Sequence, residues 1–148
     1  MGYTTEFDGA IKIDPPLNQA EIDFLVKFNE TRRMDRTEGP YFVDGPGFMG
    51  QDNTPGVINA NRPPACQPGL WCQWRPTEDG QFIEWDGGEK FYDSLEWMRY
   101  IIDHFLKPGA LAPLDFLQKN HTLNGEILAQ GEDIRDRWTL VVTDNKVS

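Results

Sequence analysis

From Asp35 to Gly69 the chain runs for about 35 residues, dense in proline and glycine and without a sustained hydrophobic period, whereas connections inside compact domains are typically about 4–6 residues long. Regular structure is therefore confined to a short block before this stretch and a longer block after it. Tyr41, Phe42, Val43, Phe48 and Met49 supply apolar side chains that a free linker does not need, so the stretch is expected to pack onto the domain.

In the first block Phe7, Ile11 and Ile13 alternate with Asp8 and Lys12, which predicts a strand over 7–13 that Pro15 and Pro16 stop. Asn18 and Glu21 have the spacing of a capping box. Ile22, Leu25 and Val26, widened by Phe24 and Phe28, then predict a helix covered on more than one side. Arg32, Arg33 and Arg36 gather at its end, where cations complement the helix dipole; the same group could instead form an anion pocket between this helix end and the long loop, with Arg62 or Arg75 contributing.

The second block begins with a predicted hairpin, 70–75 and 81–85, turning at Asp79-Gly80. A helix follows, with Asp93 as its cap, Glu96 as the reciprocal residue, Tyr92 and Trp97 as a hydrophobic staple, and Leu95, Met98, Ile102 and Phe105 turned inward. Pro108-Gly109 ends it, and a short helical turn is expected within 111–119. A last hairpin aligns Leu123, Ile127 and Ala129 on one strand and Trp138, Leu140 and Val142 on the other, across an acidic connection at 131–136.

This order, one strand, a helix, two strands, a helix and two strands, predicts an α+β fold. It is expected as a two-layer sandwich, a mostly antiparallel sheet with two helices on one face, ferredoxin-like with an extra strand. A length of 148 residues suits one domain, 1–148, carrying the long 35–69 loop.

Charge and cysteine usage bound the function. With 24 acidic against 14 basic residues the formal net charge is -10, so general attraction to DNA, RNA or anionic lipid is not expected. No apolar run reaches the roughly 20 residues of a membrane helix. Nothing near Met1 reads as a secretory signal, so a soluble cytoplasmic protein is expected. Cys66 and Cys72 lack the spacing of a structural zinc site; a disulfide across that loop is open to them, but free thiols fit a reducing compartment better.

Four of the five tryptophans fall between Gly69 and Trp97, among Arg75, Glu84, Asp86, Gly87, Gly88 and Glu89. Strand alternation sets Trp71, Gln73 and Arg75 opposite Leu70, Cys72 and Trp74. A flat ring beside a guanidinium suits a nucleobase stacked over a neutralised phosphate or carboxylate. The same tryptophans also suit the plainer task of covering the long loop. Glu84, Asp86 and Glu89 could hold a divalent metal, but they match no calcium loop, and a solvated turn accounts for them as well. His104 and His121 lack a partner at ligand spacing and read as structural or solvated. No nucleophile elbow, zinc motif, phosphate loop or dinucleotide fingerprint is present, so no catalytic residue, metal or cofactor is assigned.

Gly2-Tyr3-Thr4-Thr5 with Phe7, Glu30-Thr31-Arg32-Arg33-Met34, Gly69-Leu70-Trp71-Cys72-Gln73-Trp74, and the run from Ile83 to Tyr92, above all Trp85 to Tyr92, resemble a little-characterised family of small acidic bacterial and phage-associated proteins. Leu123-Asn124-Gly125-Glu126 and Gly131-Glu132-Asp133 extend the resemblance over most of the chain. The family has no established activity, so the resemblance transfers no catalytic residue; its phage association implies a role in countering host defence.

The leading expectation is a non-enzymatic binding protein that captures a small nucleotide-like ligand, with Arg33, Trp71, Arg75, Trp85 and Tyr92 as the ligand-binding residues. In a phage setting this amounts to sequestering a defence signal. The alternative is an acidic module that binds or inhibits a host protein, and the third reading is a metal-dependent hydrolase. Exposed aromatics on a small domain also make a homo-oligomer an expected state.

Overall fold

Phe7, Ile11 and Ile13 all turn to one side of the first strand and are buried, as period-two alternation requires. The computed structural model describes residues 4–43, 56–59 and 61–148. Its elements run β1 (Glu6–Asp14), α1 (Gln19–Glu30), β2 (Asp35–Arg36), β3 (Val57–Asn59), β4 (Trp74–Pro76), β5 (Phe82–Trp85), α2 (Ser94–Ile101), β6 (Thr122–Gln130), β7 (Arg137–Thr143) and β8 (Lys146–Val147). A π-helical turn, Ile102–Leu106, continues α2. No helix among the described residues is long and apolar enough to cross a membrane.

The main sheet has the order β4-β5-β1-β6-β7-β8, and every pairing in it is antiparallel. Taken with α1 and α2, the four strands β4-β5-β1-β6 carry the β-α-β-β-α-β succession of a ferredoxin-like sandwich, and β7 and β8 extend the sheet beyond β6. The fold is α+β, as its sequence pattern predicts. β1 and β6 pair over the full length of both, from Glu6 opposite Gln130 to Asp14 opposite Thr122. Two glycines permit that approach. A Cβ on Gly9 (φ +118) would stand 2.8 Å from the Glu126 carbonyl oxygen, and one on Gly125 (φ +150) 3.0 Å from that of Ala10.

One hydrophobic cluster joins the inner sheet face to both helices: Ile11, Ile13, Ile83 and Ile127 from the strands, Phe24 and Phe28 from α1, Trp97, Met98 and Ile101 from α2. Edge-to-face contacts dominate its aromatic part. Phe7 meets Trp74, Trp85, Phe91 and Trp138 with ring centroids between 5.2 and 6.1 Å.

α1 begins as its sequence indicates, with the Asn18 carboxamide oxygen accepting from the Glu21 N–H at 2.7 Å and Glu21 accepting from the Asn18 N–H at 3.0 Å. α2 does not. Asp93 sits in left-handed backbone (φ 59) and its side chain caps nothing, while Tyr92 is exposed, so neither the cap nor the staple forms. Phe91 is the side chain buried there instead, because the chain enters the helix through a left-handed turn that rotates Tyr92 outward.

Other expectations change in the same local way. Residues 70–73 are not a strand, because β5 has only four residues and its pairing reaches no further back than Trp74. Within 111–119 the short helical turn reduces to a single turn at Asp115-Phe116, the Leu117 N–H reaching the Leu114 carbonyl at 3.2 Å. The arginine group lies beyond the helix it was expected to complement: α1 ends at Glu30, and Lys27 is the cation of its last turn. Within the long loop, β2 and β3 pair as a two-stranded sheet, and Tyr41 and Val43 pack against the core. Phe48 and Met49 lie outside the described residues.

Candidate functional site

Where α1 ends, three buried polar side chains tie loops to the helix. The single Thr31 hydroxyl proton is shared between the carbonyls of Lys27 (2.7 Å) and Val43 (3.0 Å), while the Arg33 N–H donates to the Leu70 carbonyl at 2.7 Å. The Arg33 guanidinium donates to the carbonyls of Thr31 (3.1 Å), Pro40 (3.2 Å) and Phe42, and lies 4.2 Å over the Phe28 ring. It is only 2% exposed, and burial lowers its pKa to about 9, still charged at neutral pH. Among the described residues Arg33 holds the loop to the helix, its guanidinium donating to backbone carbonyls.

Asn29, on the last turn of α1, donates to the Cys72 carbonyl (2.8 Å) and to Asp86 Oδ2 (2.9 Å); Asp86 Oδ1 accepts from the Gly88 N–H at 2.7 Å. Gln73 braces the same turn, donating to the Glu89 carbonyl at 2.9 Å and accepting from Trp85 Nε1 at 3.2 Å. A Cβ on Gly88 would stand 2.9 Å from Asp86 Oδ1 and 3.0 Å from Gln73 Oε1, so this position has little room for a side chain. Left-handed backbone at Gly87, Lys90 and Asp93 then carries the chain around to α2.

Between these two braced segments lies a groove of about 570 Å³. Pro63, Pro68, Gly69, Leu70 and Trp71 line one part of it, Glu89, Lys90, Tyr92 and Asp93 another, and Arg32, Asn61 and Gln73 complete it. A smaller hollow of about 310 Å³ shares Trp71, Gln73 and Glu89 and adds Asn29, Glu30, Asp86 and Gly88. Trp71 is thus a wall common to both. A volume of about 570 Å³ falls within the range typical of small-molecule sites.

Of the residues singled out in the sequence, Trp71 and Tyr92 meet in this groove. Arg33 lies beneath it, as described. Arg75 pairs with Glu84 across the β4–β5 ladder at 3.4 Å, the arginine exposed and the carboxylate half-buried. Trp85 packs on Phe7 at 5.4 Å and lines hollows with Glu6 and Gln130 on another side; it reaches the groove only through Gln73. Arg32, from the basic group at the end of α1, also lines the groove, as do Lys90 and Asn61, for which no ligand role was expected. Neighbouring Arg32 and Arg33 differ only in which way the chain leaves α1, for which the sequence carries no signal. Glu84, Asp86 and Glu89 do not converge on a cation, since Glu84 is drawn to Arg75 and Asp86 to Asn29 and Gly88; among the described residues no three His, Cys, Asp or Glu side chains converge for a metal.

Both histidines are built into the packing. His121 Nδ1 lies 2.6 Å from the Pro15 carbonyl oxygen and Nε2 3.0 Å from Glu21 Oε2, with both side chains fully buried. Burial pushes Glu21 up, but the bonds from His121, Asn18 and Gln118 outweigh it and hold the carboxyl below its ordinary value; burial likewise pushes His121 down, and Glu21 with Pro15 raises it above. His104 stacks on Tyr100 at 3.8 Å, burial holds its pKa down, and its Nδ1 lies 2.7 Å from the Tyr41 hydroxyl oxygen. Cys66 and Cys72 are free thiols, and burial pushes the Cys72 thiol up to about 12.

No protein-family model, no curated protein and no solved structure matches this chain.

Proposed function

We propose that this protein captures a small planar ligand of nucleotide-like size in the groove beside Trp71. The observation that carries the reading is the union of Trp71 and Tyr92 with Arg32, Lys90, Asn61 and Asp93 around one groove of about 570 Å³: aromatic faces to stack a ring, and polar groups to orient it. Asn29, Arg33 and Gln73 support the reading, because their hydrogen bonds hold both sides of the groove to α1 or to each other before any ligand arrives. In the phage setting that the sequence resemblance implies, such capture would withdraw a defence signal from its receptor.

The test is native mass spectrometry of protein purified from cells, followed by titration with a panel of nucleosides and nucleotides. A reproducible adduct, or binding that falls at least about tenfold in Trp71→Ala, supports capture. Bare protein that binds none of the panel would instead favour the alternative, a module that docks on a host protein. Ile134 favours that alternative: it is 85% exposed on the connection that also carries Glu132, Asp133 and Asp136.

A further inference from the structure

Behind the groove stands a polar group without a partner. Trp97 is completely buried, and its indole Nε1 finds no hydrogen-bond acceptor among the described residues. Buried donors are nearly always paired, so such an atom calls for an explanation. Nε1 faces Gly69, a groove-lining residue, and lies 3.7 Å from the point where a side chain at that position would begin; Asp93 Oδ2, also of the groove, lies 3.9 Å from the same point. A donor and a carboxylate acceptor therefore flank the one place in the groove wall that carries no side chain.

We infer that this corner of the groove reads a lactam edge, Trp97 Nε1–H donating to a ring carbonyl of the ligand and the Asp93 carboxylate accepting from the adjacent ring N–H. The inference rests on the groove being a ligand site. An oxo-purine or oxo-pyrimidine base presents such a carbonyl and N–H side by side; an adenine ring does not. Gly69 covers the indole nitrogen, so engagement requires the Gly69 turn to ease outward, and a residue without a Cβ has least to displace. Charge points to the base more than to a phosphate tail. Arg32 and Lys90 share the groove with Glu89 and Asp93, and the adjoining hollow adds Glu30 and Asp86, an arrangement that opposes a polyphosphate.

The experiment titrates guanosine, inosine, uridine and adenosine into the intact protein by calorimetry and follows the Trp97 indole N–H by NMR. The expected result is a preference of at least about tenfold for the three lactam bases over adenosine, reduced to about twofold or less in Asp93→Asn, with the indole resonance shifting for guanosine and not for adenosine. Equal binding of guanosine and adenosine, lost in Trp71→Ala, overturns the lactam reading while leaving the groove as a ligand site. Absence of binding by all four nucleosides, with the indole resonance unmoved, overturns the lactam reading together with nucleoside capture.

Discussion

The two ends of α1 handle polar side chains in opposite ways. At its start Glu21 and His121 are sealed from water, and their polar atoms are matched inside the fold by one another, by the Asn18 and Gln118 N–H groups and by the Pro15 carbonyl. At its far end Arg33 is sealed in the same manner, but the layer above it, Arg32, Asn61, Lys90, Tyr92 and Asp93, faces a groove. The contrast separates polar groups matched inside the fold from polar groups that line a groove. A buried pair gains rigidity at the cost of desolvation, whereas a groove keeps its donors and acceptors hydrated until a ligand replaces the water.

The strongest way to break this comparison is His121→Ala, which leaves the Glu21 carboxylate buried without its cation. A loss of about 3–5 kcal/mol in urea unfolding is expected, and a loss under about 1 kcal/mol would show that this end is not sealed as described. Arg33→Met tests the buried layer under the groove. Orphaning the carbonyls of Thr31, Pro40 and Phe42 is expected to destabilise by about 2–3 kcal/mol, measurable by the same method.

The pH dependence sharpens the comparison further. His121, raised above its ordinary 6.5, contributes stability that is complete below 6.5 and lost as pH climbs through its folded value; Glu21, lowered below its ordinary 4.5, contributes stability present above 4.5 and lost as pH falls through its folded value. Melting temperature from this pair should therefore peak between 4.5 and 6.5 and decline by a few degrees on either side. His121→Ala should flatten that profile. Smallest of all is Arg75→Ala: an exposed cross-strand ion pair is worth about 0–1 kcal/mol, so its melting curve should nearly overlay that of the parent protein.

Much of the frame was legible because it depends on neighbours in the chain. The Asn18–Glu21 capping box, the alternation of Phe7, Ile11 and Ile13, and the turn at Gly80 (φ +71) each act within a few residues, and each forms where its pattern stands. The start of α2 had an equally good local pattern and still failed. Asp93 lost its capping role because the turn from Gly87 to Asp93, anchored through Asp86 to Asn29 and through the Glu89 carbonyl to Gln73, brings the chain into the helix with left-handed backbone. Residues 70–73 lost their strand for a similar reason, Arg33 drawing the Leu70 carbonyl away from the sheet. In the site, the aromatic content was legible and the membership was not: alternation set Trp71 and Arg75 on one side, and cross-strand pairing then gave Arg75 to Glu84.

What the sequence by itself determined is the succession of β1, α1, β4, β5, α2, β6 and β7, their apolar faces, the acidic charge and the concentration of tryptophan ahead of α2. Periodicity and charge are properties of short windows, and a chain carries them wherever it goes. Tertiary structure alone decided that Glu21 meets His121 across 100 positions, that Gly9 and Gly125 let β1 and β6 close upon each other, and that Trp71 and Tyr92 face one groove while Arg33 lies beneath it. Such pairings depend on sheet order and on the direction in which each loop leaves a helix, and both are set by packing between residues distant in the chain.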